Sequence, residues 1–185
     1  MRADIVRGAR FPDYELPDQD GVQRRLSALQ NGQPLILVLT RGHFCPKDHQ
    51  QHREIADLLP RIDVAYTSIV TITTDDASGC WDMKKATGAT WPFLSDPDRV
   101  VQRDLDIREE TDPHHDPMVP HTLVLAPGLV VHSVYCGYWF WGRPSRDDLW
   151  RDLRDVLRTT RADFDPTTPE ARARLNGMSR SLARV

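Results

Sequence analysis

One stretch constrains this chain more than any other: Leu35-Ile-Leu-Val-Leu-Thr40, an aliphatic run opened by Pro34 and closed by Arg41-Gly42. It offers no polar face, so as a strand it must be covered on both sides, as parallel strands in α/β proteins are. The turn Arg41-Gly42-His43-Phe44 breaks the run, and Cys45-Pro46 opens a helix, because proline suits the first helical position. A buried strand leading into a helix N-terminus is half of a βαβ unit, whose crossover is right-handed.

The remaining punctuation extends this pattern. Residues 1–33 predict a short hairpin around Asp18-Gln-Asp-Gly21 and a helical turn near Leu26–Leu29. The helix from Pro46 is expected to reach about Leu59 and to be stopped by Pro60. Val64–Thr73 reads as the next strand, and Asp75-Asp-Ala-Ser78 as the cap of a helix over 78–87. A short helix over 98–105 and an exposed polar loop over 108–119 follow. His121–Leu125 and Leu129–Val134 form an antiparallel hairpin across Ala126-Pro-Gly128, and Ser145 caps a helix running to about Arg158. The sum is an α/β three-layer sandwich with a mixed central sheet. One domain is expected over 1–158, with an extension over 159–185 carrying a short helix rich in arginine (Arg172, Arg174, Arg180, Arg184).

A length of 185 residues suits one domain. Such a chain buries about 70% of its unfolded surface and needs no staples. With 39% hydrophobic and 28% charged residues it is a globular chain, not a disordered one. A net charge of −3 argues against a broad basic surface and hence against nucleic acid as a partner. No apolar run approaches the ~18–20 residues of a membrane span. Met1–Arg7 lacks an apolar h-region, so the chain reads as cytoplasmic. Its three cysteines do not form a disulfide framework.

The chemical focus is Cys45. At a helix N-terminus the exposed amides and the dipole stabilise a thiolate, and such sites lower a cysteine pKa from about 8.5 into the ~3.5–7.5 range. Arg41 and Lys47 add positive charge nearby. The competing reading is a small buried hydrophobe at a strand end.

Five segments, in this order and spacing, carry a resemblance. They are Phe11-Pro-Asp-Tyr-Glu-Leu-Pro-Asp-Gln-Asp-Gly21, Leu35-Ile-Leu-Val-Leu-Thr-Arg-Gly-His-Phe-Cys-Pro46, Ile69-Val-Thr-Ile-Thr-Thr-Asp75, Trp91-Pro-Phe-Leu-Ser-Asp-Pro-Asp98 and Val119-Pro-His-Thr-Leu-Val-Leu-Ala-Pro-Gly128. The chain resembles the thioredoxin-like superfamily and, within it, the peroxiredoxin/redoxin group (alkyl hydroperoxide reductase and thiol-specific antioxidant type), from about residue 10 to 158. The resemblance implies a thioredoxin-like fold and an antioxidant oxidoreductase in which Cys45 attacks a peroxide or a disulfide. A thiol reductant restores it, and no cofactor takes part. Arg41 and Thr40 would stabilise the thiolate and the leaving group. Phe44, Pro46, Pro120 and His121 would wall the substrate pocket. Next to Pro120, His121 reads either as a proton donor facing the thiol or as a strand-end histidine bonded to backbone.

The chain departs from the group at several positions. Asp48 replaces the second cysteine of the R-G-x-W-C-P-x-C turn. In the P-x-x-x-T-x-x-C pattern, Gly42 occupies the threonine position and Val38 the proline position. Pro120 stands where the group carries an arginine, and Val119-Pro120 looks like the cis-proline of thioredoxins. Cys80 is a candidate resolving cysteine, which would condense with the sulfenic acid of Cys45, though it also reads as a core residue beside Trp81. Cys136, in an aromatic stretch, reads as buried filler. The remaining alternatives are a single-cysteine thiol–disulfide exchange enzyme and a redoxin-fold binding module without catalysis.

Cys45, His49 and His52 share a helix face, but a solvated first turn is the stronger reading than a metal site, and the same holds for His114 and His115. The aromatic cluster Tyr135, Tyr138, Trp139, Phe140 and Trp141 could line a pocket, face a partner copy in a homodimer, or fill the core.

Overall fold

The computed structural model describes residues 1–62, 66–138 and 141–161, together with Pro169 and Ala173. The run at Leu35–Thr40 becomes the central strand β3 and is buried along its whole length. Before it lie a hairpin of β1 (Glu15–Pro17) and β2 (Gln23–Arg25) and a short helix α1 (Leu26–Gln30). After it come α2 (Pro46–Ile62), β4 (Ser68–Thr73), α3 (Ala77–Thr87), β5 (Phe93–Ser95) and α4 (Val100–Asp104). The chain closes with β6 (His121–Ala126), β7 (Val130–Cys136) and α5 (Arg146–Thr160). The main sheet has the order β5-β4-β3-β6-β7. β3, β4 and β5 are parallel, while β6 and β7 are antiparallel additions, so the sheet is mixed.

The alternation of side chains along β3 builds two cores at once. Leu35, Leu37 and Leu39 join Phe11, Leu26, Val101, Leu105 and Met118 on one face. Ile36 and Val38 join Ile55, Leu58, Cys80, Met83, Leu153 and Val156 of α2, α3 and α5 on the other. That division explains why Leu35–Leu39 is purely aliphatic, and it completes three layers. α5 is fixed at its start by a capping box, in which the Ser145 hydroxyl accepts from Asp148 N and the Asp148 carboxylate accepts from Ser145 N.

Four local expectations are corrected. Pro60 does not stop α2, which runs on to Ile62. Proline loses one backbone hydrogen bond there, but the fully buried Ile62 keeps the last turn packed. The strand expected over Val64–Thr73 is shorter, and Val64 lies outside the described residues. The loop over 108–119 is not simply exposed: Glu109 and Met118 are buried, and a bridge pairs Arg108 with Met118. Val119–Pro120 is trans, because the described residues contain no cis peptide bond. α5 ends at Thr160, just past the expected boundary at 158. The four arginines of the expected tail helix, with Trp139 and Phe140, lie outside the described residues. Among the described residues no helix is long and apolar enough to cross a membrane.

Candidate active site at the start of the second helix

Parallel strands present their carboxyl ends as a natural site, and here β3 leads directly into the turn that carries Cys45. Two carboxylates hold that turn. Asp75, just beyond β4, accepts hydrogen bonds from the His43 amide at 2.7 Å and the Thr73 hydroxyl at 2.8 Å. Gly42 has φ +131°, and a Cβ placed there would stand 2.9 Å from Asp75 Oδ1. A threonine at position 42 would therefore be strained and would collide with the group that anchors the turn, which is a physical reason for the departure from the family pattern. The His43 carbonyl lies 2.7 Å from His49 Nε2.

The second anchor is Asp48, fully buried in the first turn of α2. Its Oδ2 accepts from the Thr40 hydroxyl (2.6 Å) and the Arg41 amide (2.7 Å), and its Oδ1 from Arg143 Nε (3.0 Å) and Nη2 (2.5 Å). A buried carboxylate is tolerable only with such saturation. Below it, fully buried His52 donates from Nδ1 to the Asp48 carbonyl (2.7 Å), and its Nε2 accepts from the Thr71 hydroxyl (3.0 Å), which itself accepts from Trp91 Nε1. That arrangement selects the neutral ring, and burial holds the His52 pKa down at about 4. His52 is thus a structural member of the core, which corrects the expectation of a solvated first turn at this position. Among the described residues no cluster of three or more histidine, cysteine or acidic side chains is arranged to hold a metal.

Cys45 caps α2. Its carbonyl accepts from the amides of Asp48 and His49, both at 3.2 Å, and its own amide donates to the Gly42 carbonyl at 3.0 Å. The side chain is 3% exposed. Arg41 Nη1 stands 3.9 Å from the sulfur. The same guanidinium meets Glu109, with Nε 2.8 Å from Oε2 and Nη2 3.2 Å from Oε1, and Asp112, with Nη2 3.2 Å from Oδ2. Its carbon lies 5.3 Å from the Phe44 ring centre. Phe44 stacks on His115, with ring centres 3.7 Å apart, and His115 is held by Asp112 at 2.9 Å.

The expected site residues divide accordingly. Arg41 and Cys45 come together, and Phe44 and Pro46 line a shallow pocket of about 290 Å³ with His43, His49 and Arg53. Thr40 is fully buried and gives its hydroxyl proton to Asp48, so it supports the turn. His121 pairs in register with Leu39 on the face away from α2, and donates to the Val119 carbonyl at 2.7 Å, with its pKa lowered by burial. Pro120 accepts from Gly137 N and, like His121, does not line that pocket. Cys80 is fully buried between the sheet, α2 and α3, and burial, with Asp75 and Asp76 nearby, pushes its thiol up to about 12. Cys136 is not buried filler: it is exposed at the end of edge strand β7. Tyr138 and Trp141 are exposed too, so these members of the aromatic stretch are not core.

Arg143, Glu109 and Asp112 were not singled out from the sequence, while Asp48 was noted only as standing in place of a cysteine and Asp75 only as part of a helix cap. Asp48 alone carried a signal, an acid three residues after Cys45 and so on the same side of the helix start. The others are brought in by topology from distant segments.

The AhpC/TSA family profile matches residues 7–133. The chain belongs to the AhpC/TSA family. Two curated proteins of Mycobacterium tuberculosis are similar to it. "Putative peroxiredoxin Rv2521" is 30% identical over 97 residues, which are 52% of this chain and 61% of that protein. "Putative peroxiredoxin Rv1608c" is 28% identical over 101 residues, 55% and 66% respectively. The matched part thus spans somewhat under two thirds of each relative. Among solved structures, peroxidoxin BcpB from Mycobacterium tuberculosis superposes with a TM-score of 0.70 at 25% identity, covering 84% of this chain and 97% of that one. Mycobacterium tuberculosis AhpC shares the fold at TM-score 0.70 and 15% identity, over 85% and 95% of the two chains. The thioredoxin-like α/β fold is therefore that of the peroxiredoxins.

Proposed function

We propose that this family member is a thiol-dependent peroxidase in which Cys45 is the attacking sulfur. The observation that carries the reading is the cap position of Cys45 on α2 with the Arg41 guanidinium 3.9 Å from its sulfur. The thiolate attacks one oxygen of the peroxide, the O–O bond breaks, and the departing alkoxide or hydroxide takes a proton to leave as alcohol or water. Cys45 becomes a sulfenic acid. Arg41 faces the charge that passes from sulfur to the leaving oxygen, in the manner of a preorganised donor. Cys45 is 3% exposed, so a peroxide must enter by local movement around the turn, where Phe44 lies against Arg41 and stacks on His115.

Regeneration falls to an external thiol, small or protein-borne. The first thiol forms a mixed disulfide with Cys45 and releases water, and a second thiol frees the enzyme. The full burial of Cys80 supports this against internal resolution, for which the start of α3 would have to unwind. All described cysteines are free, which fits a reducing, cytoplasmic setting. Residues 1–158 act as the catalytic unit, and exposed Tyr138 and Trp141 beside edge strand β7 are the surface on which a homodimer would be sought.

The test is peroxide consumption with a dithiol reductant. Wild type is expected to turn over hydrogen peroxide or an organic hydroperoxide, and Cys45→Ser to fall to background. A wild type that leaves peroxides untouched but reduces a model disulfide would point to thiol–disulfide exchange. Neither activity would leave a binding module.

A further inference from the structure

The Arg41 guanidinium stands 3.9 Å from the Cys45 sulfur, yet the sulfur holds it least closely. Glu109 takes the guanidinium on two nitrogens, and Asp112 takes it on one. Glu109 is a charged residue only 4% exposed, so its partner is essential to its burial. Its backbone is rigidly placed: Glu109 N donates to the Pro117 carbonyl at 2.9 Å, Val119 N to the Ile107 carbonyl at 2.6 Å, and Gln102 Nε2 to the Asp116 carbonyl at 2.8 Å. Thr111 donates to Glu109 Oε1 at 2.8 Å. Two hydrogen-bonding atoms remain unpartnered by geometry, Arg41 Nε and Glu109 Oε2, although they lie 2.8 Å apart as an ion contact. The pairing is thus close but imperfectly aligned.

We infer that Glu109 is a positioning residue that divides the Arg41 cation between itself and the Cys45 sulfur, and so sets how firmly the thiolate is held. An arginine given wholly to the sulfur would favour the anion most but leave it a weaker nucleophile, since nucleophilicity falls with thiol pKa. A carboxylate sharing that arginine opposes the anion and keeps it reactive. The charged and titratable groups around the pair are Glu109, Asp112 and His115 from the loop over 108–119, His43 of the turn with Asp75 that anchors it, and His49 with the Asp48–Arg143 pair on the α2 side. The idea rests on the functional reading only in taking Cys45 as the reacting sulfur.

The experiment is thiolate absorbance against pH, from about pH 4 to 9, for the intact chain minus its Cys45→Ser counterpart. The subtraction cancels Cys136 and needs no reagent to reach the sulfur. In Glu109→Gln, which keeps the shape and an oxygen acceptor, the midpoint is expected to move down by about 0.5–1 unit. In Glu109→Asp, which restores the charge, it is expected to return toward wild type. Asp112→Asn, at a more exposed position, is expected to move it down by less, and decides the matter should Glu109→Gln not fold. A residue that merely braces the loop would release Arg41 on substitution and move the midpoint up. An upward or absent shift overturns the inference. Absence of peroxidase activity in wild type would sink the functional reading and leave this titration interpretable.

Discussion

Cys45 and Cys80 are both almost sealed from solvent, at 3% and 0% exposure, yet they stand in opposite electrostatic surroundings. Cys80 sits among Ile55, Met83 and Phe93, with Asp75 and Asp76 nearby, and both burial and those carboxylates oppose its anion. Cys45 caps the start of α2 with a guanidinium beside its sulfur. Accessibility alone therefore does not separate a structural thiol from a reactive one. The neighbouring charge does: a guanidinium stands 3.9 Å from the Cys45 sulfur, whereas Asp75 and Asp76 lie near Cys80, although it too sits in the first turn of a helix.

The contrast can be broken most severely at Asp48. Asp48→Asn removes the carboxylate facing Arg143 inside the fold, and is expected to lower stability by about 3–5 kcal/mol in urea unfolding. The turn that carries Cys45 should loosen with it. Removing the positive neighbour is the next largest change. Arg41→Met is expected to reduce kcat/KM for peroxide by about 100-fold, read in the coupled assay, with the fold retained by circular dichroism.

A pH dependence comes from below the site. His52 is neutral when folded, with its pKa held down at about 4 against about 6.5 unfolded, so the unfolded chain takes up its proton first as pH falls. The His52 contribution is complete above about pH 6.5 and is lost as pH drops toward 4. Between pH 7 and pH 5 the loss should be about 2 kcal/mol, and His52→Gln should flatten that part of the stability profile. The smallest effect concerns the other thiol. Cys80→Ala is expected to cost about 1 kcal/mol of stability through lost packing and to leave peroxide turnover within about twofold. A large loss of turnover would instead make Cys80 a working residue.

Much of the fold was legible because single segments encode it. Leu35–Thr40 announces a strand covered on both faces, Pro46 a helix start, and Ser145 a capped helix. Pro60 misled because local stop signals yield to the burial of Ile62 one turn end further on. Cys136 misled because its aromatic neighbours suggest a core, whereas β7 lies at the sheet edge with its end open. At the site, Cys45 and Arg41 were legible from one contiguous turn. Arg143, Glu109 and Asp112 were not, since their chain segments carry no periodicity pointing at Cys45 and only the closed fold brings them there. The same holds for Thr40, whose place before the cysteine suggested contact with the thiol although its hydroxyl serves Asp48.

The most direct measurement exposes the native chain to one equivalent of hydrogen peroxide with a sulfenic-acid trap such as dimedone, and maps the adduct by mass spectrometry. The account predicts trapping at Cys45, with Cys80 unmodified. An untouched Cys45, or an adduct appearing first on Cys80 or Cys136, would contradict it.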